Sequence, residues 1–236
     1  MFKRVAYTHA VSKHSALLNQ LSDEITRCEL CPRLRKHCIK IADQKRRAYQ
    51  NEVYWGKPIS GFGDPNAQVV IVGLAPGSHG ANRTGRVFTG DRSGEWLYRA
   101  LNRAGFANQA ESNHLKDGLR LKNVYITCVV KCAPPENKPD RVEIKRCSYF
   151  LDREAELLNN VRVWIALGGV ALQGIWPKIG GTQPRPKFKH GATVDLSAGK
   201  SLILSYHPSQ QNTFTGRLTE KMFDQVFRKA SSALTG

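Results

Sequence analysis

The chain has 236 residues, enough for one α/β domain with a substantial core or two small ones, and its apolar content of 41% is ordinary for a water-soluble fold. An excess of 36 basic over 19 acidic residues leaves a net charge of +17, which argues for a polyanionic partner, nucleic acid before an anionic membrane surface. No apolar run approaches the ~20 residues of a membrane span, and no basic amphipathic helix of the interfacial kind stands out.

In chain order, residues 9–27 read as a helix, with Leu17, Leu18, Leu21 and Ile25 as a partial apolar stripe. The first acidic residue is Asp23, but His9 and Ser12 interrupt any apolar leader. No signal peptide is therefore expected, and a transit peptide stays open. The helix delivers Cys28-Glu29-Leu30-Cys31, followed by a basic segment through Lys45-Arg46-Arg47. Gly56 to Pro65 reads as an irregular connector. Val69-Val70-Ile71-Val72 then gives a strand buried on both faces, as in a parallel sheet.

The centre of the sequence lies just beyond that strand. Five glycines and a proline fall between Gly73 and Gly90, in a loop that also carries His79, Arg83, Arg86, Phe88 and Asp91. Glycines permit positive φ and close backbone approach to a ligand, more often than a packing loop needs. A phosphate-binding loop is excluded here, because no Lys-Ser or Lys-Thr follows these glycines and the GxGxxG spacing is missing. Ser93 is read as the cap of the next helix, with Leu97, Ala100, Leu101 and Ala104 on one face and Gly105 as its stop. Strand, polar loop and helix together put the loop at the carboxyl end of a sheet, where open α/β folds bind ligands.

A second strand spans 123–130 and runs into Lys131-Cys132-Ala133-Pro134-Pro135-Glu136-Asn137-Lys138-Pro139, where the prolines enforce an extended loop. A helix with Cys147, Leu151, Ala155 and Leu158 at helical spacing comes next. The third strand is 161–167, followed by a short helix to Trp176, and residues 177–191 read as a mobile loop. The fourth strand, 201–205, leads into Tyr206-His207-Pro208-Ser209-Gln210-Gln211-Asn212, and a last helix shows Phe223, Val226, Phe227 and Ala230. Alternating strands and helices predict one domain over 1–236, with residues 1–24 as an N-terminal extension or helix. It is a three-layer α/β/α fold around a mainly parallel four-stranded sheet.

Six cysteines are too few for a disulfide scaffold in a chain of this length, and their spacing points to metal. Cys28 and Cys31 form a CxxC unit, whereas Cys132 and Cys147 have fourteen residues between them. A zinc ribbon needs a second CxxC knuckle, which is absent; a cubane iron–sulfur cluster tolerates the wider spacing. Buried cysteines with no metal role are the alternative, and it is the reading given to Cys38 and Cys128. Spacing alone leaves the choice of four open.

Taken together, Gly73-Leu74-Ala75-Pro76-Gly77, the run His79 to Asp91, Lys131 to Pro139, and His207-Pro208-Ser209 with Asn212 resemble the uracil-DNA glycosylase superfamily, most closely its iron–sulfur branch, family 5 or type b. The resemblance covers residues 25–230. It implies a 4Fe-4S cluster on Cys28, Cys31, Cys132 and Cys147, a four-stranded parallel sheet, and excision of uracil from DNA. Such an enzyme holds an extruded base in a pocket, stacked on an aromatic ring and hydrogen-bonded. Phe88 can supply the stacking face, Gly73 a close backbone, and His207 a donor to the departing base. Residues 208–214 would press into the minor groove. Asp91 and Asn137 would handle water or base, with helix capping as the alternative for Asp91 and a structural loop histidine for His207.

Two departures bear on mechanism. Relatives carry an acidic or amide residue where this chain has Ala75, and uracil-specific relatives carry an asparagine where it has Cys128, which cannot supply an amide donor and acceptor together. The expectation is a monofunctional, monomeric glycosylase acting on DNA that contains uracil or other deaminated bases such as hypoxanthine. It would be cytoplasmic and held at the nucleoid by DNA, with no membrane association. A non-catalytic iron–sulfur nucleic-acid-binding module is the rival. A zinc deaminase is discarded, since no histidine has glutamate two residues on.

Overall fold

A computed structural model describes residues 2–235, with side chains from His14 onward. His9 and Ser12, on which the leader reading rests, lie outside the described side chains. Among the described residues six strands form one sheet, in the spatial order β1 (Phe62–Gly63), β3 (Val124–Cys128), β2 (Val69–Gly73), β4 (Val163–Leu167), β6 (Ser201–Ser205) and β5 (Thr193–Asp195). The four central strands, β2 (Val69–Gly73), β3 (Val124–Cys128), β4 (Val163–Leu167) and β6 (Ser201–Ser205), are parallel. Each is a run rich in β-branched or large apolar residues, almost wholly buried. Period-2 alternation sends neighbours to opposite faces. Val70, Val72, Trp164, Ala166, Leu202 and Leu204 meet one core, and Val69, Ile71, Ile165 and Ile203 meet the other.

Helices cover both faces. The first core is closed by α1 (Phe2–Thr26), α2 (Pro32–Gln44), α5 (Arg141–Leu157) and α6 (Gly169–Ile179), with Leu18, Leu21, Ile25, Leu34, Leu151 and Leu172 pointing in. The second is closed by α4 (Arg92–Arg103) and α8 (Glu220–Thr235), through Leu97, Leu101, Phe223 and Phe227. This is the three-layer α/β/α architecture that the alternation of elements predicts. No helix among the described residues is long and apolar enough to cross a membrane.

Three elements differ from the sequence reading. The sheet has six strands rather than four, because β1 (Phe62–Gly63) and β5 (Thr193–Asp195) add short antiparallel edges. Strands of two or three residues are too short to show a period. The basic segment after Cys31 is the helix α2, started by Pro32 at its first position and burying Leu34, Arg35 and Cys38. Helix α6 continues through Pro177 to Ile179, so the expected 177–191 loop begins later.

One ion pair is sealed between sheet and helix. Lys131 Nζ lies 2.7 Å from Glu154 Oε2, and both side chains are nearly inaccessible to water. Glu154 also accepts from Thr127 Oγ1 at 2.7 Å and from the Gly61 amide at 3.3 Å. Removing one partner of such a pair strands the other charge in a poorly polarisable interior. Glu154→Gln is therefore expected to cost about 3–5 kcal/mol of unfolding free energy, read from denaturant titration against the parent protein.

Candidate active site

The glycine-rich loop leaves β2 at Gly73 and rises over the carboxyl ends of the strands. Its first residues extend the sheet, since the amides of Val129 and Val130 donate to the carbonyls of Gly73 and Leu74 at 3.0 and 2.9 Å. Leu74, Ala75 and Gly77 are half-buried and Pro76 is buried. A four-residue helix, α3 (Ala81–Thr84), comes next, and the chain then turns back so that Phe88 lies over Gly73. A Cβ built on Gly73 would stand 2.8 Å from Phe88 Cζ and 3.3 Å from Cys128 Sγ. Gly73 and Cys128 are also partners in the parallel register. From the end of β6, the His207 ring lies 5.7 Å from that of Phe88, centroid to centroid, at an interplanar angle of 32°. Gly73, Phe88, Cys128 and His207 thus come together.

Both polar members of this group are held uncharged. Burial depresses the His207 imidazole to about 4, so it is neutral at pH 7. Burial pushes the Cys128 thiol up to about 12, leaving it a neutral, weak donor. His207 is set in place by its backbone: Asn212 Nδ2 donates to the His207 carbonyl at 2.9 Å. Asn212 in turn belongs to α7 (Gln210–Phe214), whose N-cap is Ser209, accepting from the Asn212 amide at 3.4 Å. In this arrangement Ser209 and Asn212 brace the histidine loop.

Asp91 is the N-cap of α4, accepting from the Gly94 amide at 3.0 Å, and Ser93, expected to cap, sits inside the first turn. The extended backbone at Asp91 lets its carboxylate reach the free amides of that turn. Its other oxygen points back into the glycine loop. A Cβ on Gly80 would fall 1.9 Å from Asp91 Oδ2, and one on Gly77 would fall 2.8 Å away, so only glycine at these places admits the carboxylate. Burial raises the carboxyl pKa, and the Gly94 and Ser93 amides oppose that rise. The helix amides alone would leave a firmly ionised group; desolvation is the larger influence. Asn137 stands exposed on the loop after β3 with φ of 57°, making no side-chain hydrogen bond among the described residues. It is not brought to the Phe88–His207 pair by any described contact.

The loop's arginines hold its shape. Arg83 pairs with Glu52 and donates to the carbonyls of His79 and Gly90 at 2.8 Å each. Buried Arg86 grips half-buried Asp117 at 2.9 and 2.6 Å and buried Ser112 at 3.1 Å. Neither partner is legible in the sequence, because Glu52 and Asp117 lie about thirty residues away in unpatterned segments. His79 Nδ1 lies 3.1 Å from the Tyr54 hydroxyl and His37 Nε2 lies 3.3 Å from Ser78 Oγ, two more contacts without a sequence signal.

Elsewhere, Cys28, Cys31, Cys132 and Cys147 line a single cavity with an apolar wall that includes Leu34, Pro58 and Phe150, and with Arg35, Lys131 and Arg146 at its edge. All six cysteines are free thiols. Cys31 is the N-cap residue of α2, Cys147 lies on α5, and the Lys131 amide donates to Cys147 Sγ at 3.2 Å. Cys38 is turned to the Ala133 carbonyl and does not line this cavity, and Cys128 stands at the Phe88 pocket. Among the described residues no group of three or more His, Cys, Asp or Glu side chains converges on a single metal ion.

Comparison with known proteins identifies the family. The model of the family described as the uracil DNA glycosylase superfamily matches residues 60–231. The type-5 uracil-DNA glycosylase of Mycobacterium tuberculosis is 47% identical over 213 residues, covering 89% of this chain and 80% of that one. Its namesake in Thermus thermophilus is 47% identical over 206 residues, covering 87% and 93%. The type-5 enzyme of Pyrobaculum aerophilum is 41% identical over 210 residues, covering 89% and 90%. With four thiols round one cavity and a glycine loop under Phe88 and His207, the chain belongs to the type-5 branch of the uracil-DNA glycosylase superfamily.

Proposed function

We propose that this protein excises uracil, and with it other deaminated bases such as hypoxanthine, from DNA by hydrolysing the N-glycosidic bond. The observation that carries the reading is the meeting of Phe88, Gly73, Cys128 and the neutral His207 at the carboxyl ends of the parallel strands. A flipped base stacks on Phe88 and is approached closely by the Gly73 backbone. As the glycosidic bond breaks, its electron pair leaves with the base, and the N–H of neutral His207 donates to the carbonyl oxygen where negative charge collects. Asp91 orients the attacking water, takes its proton as the new C–O bond forms, and offsets positive charge on the sugar. Asn137 would assist water or base only from a position other than the exposed one it takes here.

Cys128 leaves the base edge weakly read. A thiol held neutral cannot pair with an amide edge as a carboxamide does, so the pocket has little with which to reject a purine analogue. The test is excision from matched oligonucleotides carrying uracil, hypoxanthine, xanthine or a thymine mismatch. Release of uracil and hypoxanthine is expected, and Cys128→Asn should narrow the spectrum toward uracil. Strict uracil specificity in the parent would mean that another group reads the base.

The four thiols fit a 4Fe-4S cluster. Lining one cavity from the CxxC turn, the loop after β3 and α5, they supply the four thiolate ligands that such a cluster takes. Cys28, Cys31, Cys132 and Cys147 would hold it. Bound there, it would supply a structural tie between the N-terminal helices, the loop after β3 and α5 rather than chemistry on the sugar. DNA is the partner this reading implies, with the protein acting as a cytoplasmic monomer.

Protein purified without air should contain about four irons per chain. Serine at any of the four cavity cysteines should lose iron, and serine at Cys38 should not. One zinc and no iron would reject the cluster.

Removing one preorganised donor typically costs about 100- to 1,000-fold in rate, and His207→Ala should slow single-turnover excision by about that factor. Because the folded-state pKa is depressed to about 4 from its ordinary 6.5, the unfolded chain takes up the proton first. This histidine's contribution to stability is thus present above pH 6.5 and lost as pH falls towards 4. The stability gap between the parent and His207→Ala should change over that window in denaturant titrations.

Asp91→Asn separates capping from catalysis, because asparagine caps a helix about as well as aspartate. Near-complete loss of excision with an unchanged melting temperature is expected. Retention of most activity would reduce Asp91 to a cap.

A further inference from the structure

Between α6 and β5, residues 185–190 alternate strictly in exposure, and the chain turns at His190. Arg185, Lys187 and Lys189 are exposed, while Pro186, Phe188 and His190 are half-buried. The alternation turns the three cations to solvent and the residues between them toward the protein. None of them makes an ion pair or a side-chain hydrogen bond among the described residues.

The inward residues fasten this ribbon to the site. The His190 ring stacks on Tyr206 at 5.0 Å and 10°, and its Nδ1 accepts from the Tyr206 amide at 3.1 Å. Phe188 packs on the same tyrosine at 5.8 Å, and Arg217 lies over the ring at 4.6 Å. Tyr206 immediately precedes His207. The turn after β4 sits alongside: a Cβ on Gly168 would meet His207 Cβ at 3.7 Å, and one on Gly169 would meet Phe188 Cγ at 4.0 Å. At its far end the ribbon is tied down by Lys229 Nζ donating to the Gly191 carbonyl at 2.6 Å.

We infer that Arg185, Lys187 and Lys189 form a phosphate-gripping edge that binds the backbone of the DNA substrate beside the flipped nucleotide, anchored to the His207 loop through Phe188, Tyr206 and His190. This rests on the proposed action on DNA. Three neighbouring exposed cations without described partners attract a polyphosphate chain, and the aromatic anchor holds their segment beside the site, so gripping the strand also positions it. Contacts to phosphate carry no sequence information, so a grip on the backbone contributes independently of sequence.

The test uses salt dependence of binding to a uracil-free duplex, so its outcome is readable whether or not excision is observed. Replacing Arg185, Lys187 and Lys189 with alanine should flatten the plot of log affinity against log salt by about 0.9 for each phosphate no longer neutralised, up to about 2.7. The control, Arg120→Ala with Lys122→Ala and Lys200→Ala, removes equal charge from the amino ends of β3 and β6, opposite the site, and should leave the slope unchanged. An unchanged slope in the ribbon variant, or an equal fall in the control, would overturn the inference. Should the triple variant fail to fold, Arg185→Gln with Lys189→Gln carries the same test, with a fall of up to about 1.8 expected. Failure of the parent to release any base would count against the proposed function and leave the slope result standing.

Discussion

A side chain at position 73 would collide with the Phe88 ring, and the geometry of the site depends on that vacancy. Because Gly73 has no Cβ, the ring can settle on the end of β2, within reach of Cys128 and His207. The fit comes at a backbone cost. Phe88 has φ of 51°, a left-handed conformation that typically costs a non-glycine residue about 1–3 kcal/mol. The surroundings enforce it: the Phe88 carbonyl lies against Gly94, where a Cβ would be only 1.9 Å away, and Arg83 and Arg86 hold the loop on either side. Strain held by two buried arginines, each tied to both a carboxylate and the loop, is hard to relax, so the stacking face stands ready before a base arrives.

Asp91 shows how one carboxylate can face two ways in such a space. One oxygen closes the first turn of α4, and the other enters a gap that Gly77 and Gly80 leave open. A cap alone requires no room on its far side, yet two glycines provide it. Burial raises the carboxyl pKa while the helix amides pull it down. That balance leaves an acceptor more basic than a solvated aspartate, which suits the transfer of a proton from water.

The parallel strands are legible because each is an unbroken apolar run, and the site's location is marked by the abrupt change to glycine at residue 73. The four cavity cysteines can be named only through resemblance; spacing leaves Cys38 and Cys128 in play, and in the fold Cys38 sits behind Cys132 without lining the cavity while Cys128 stands at Phe88. The features hidden from the sequence are non-local or very short. The partners of Arg83 and Arg86 lie in segments without periodicity. The edge strands are too brief to show alternation. Helix α2 is masked by its basic composition, because a face of only Leu34, Arg35 and Cys38 is buried.

The charge excess reads differently once the pairs are known. Arg83, Arg86, Arg33 and Lys131 each neutralise a carboxylate within the fold, so they add nothing to the field a ligand meets. Pairing consumes acid and base equally, and the net +17 must therefore reside on cations without partners. An unpartnered lysine at the surface is unremarkable alone. Arg185, Lys187 and Lys189 differ in alternating with Phe188 and His190, whose aromatic packing pins the segment to the residue before His207. Pinning removes orientational freedom before binding, so less entropy is lost when the strand docks. Charge that is both surplus and fixed in position is what separates a contact edge from a solvated face.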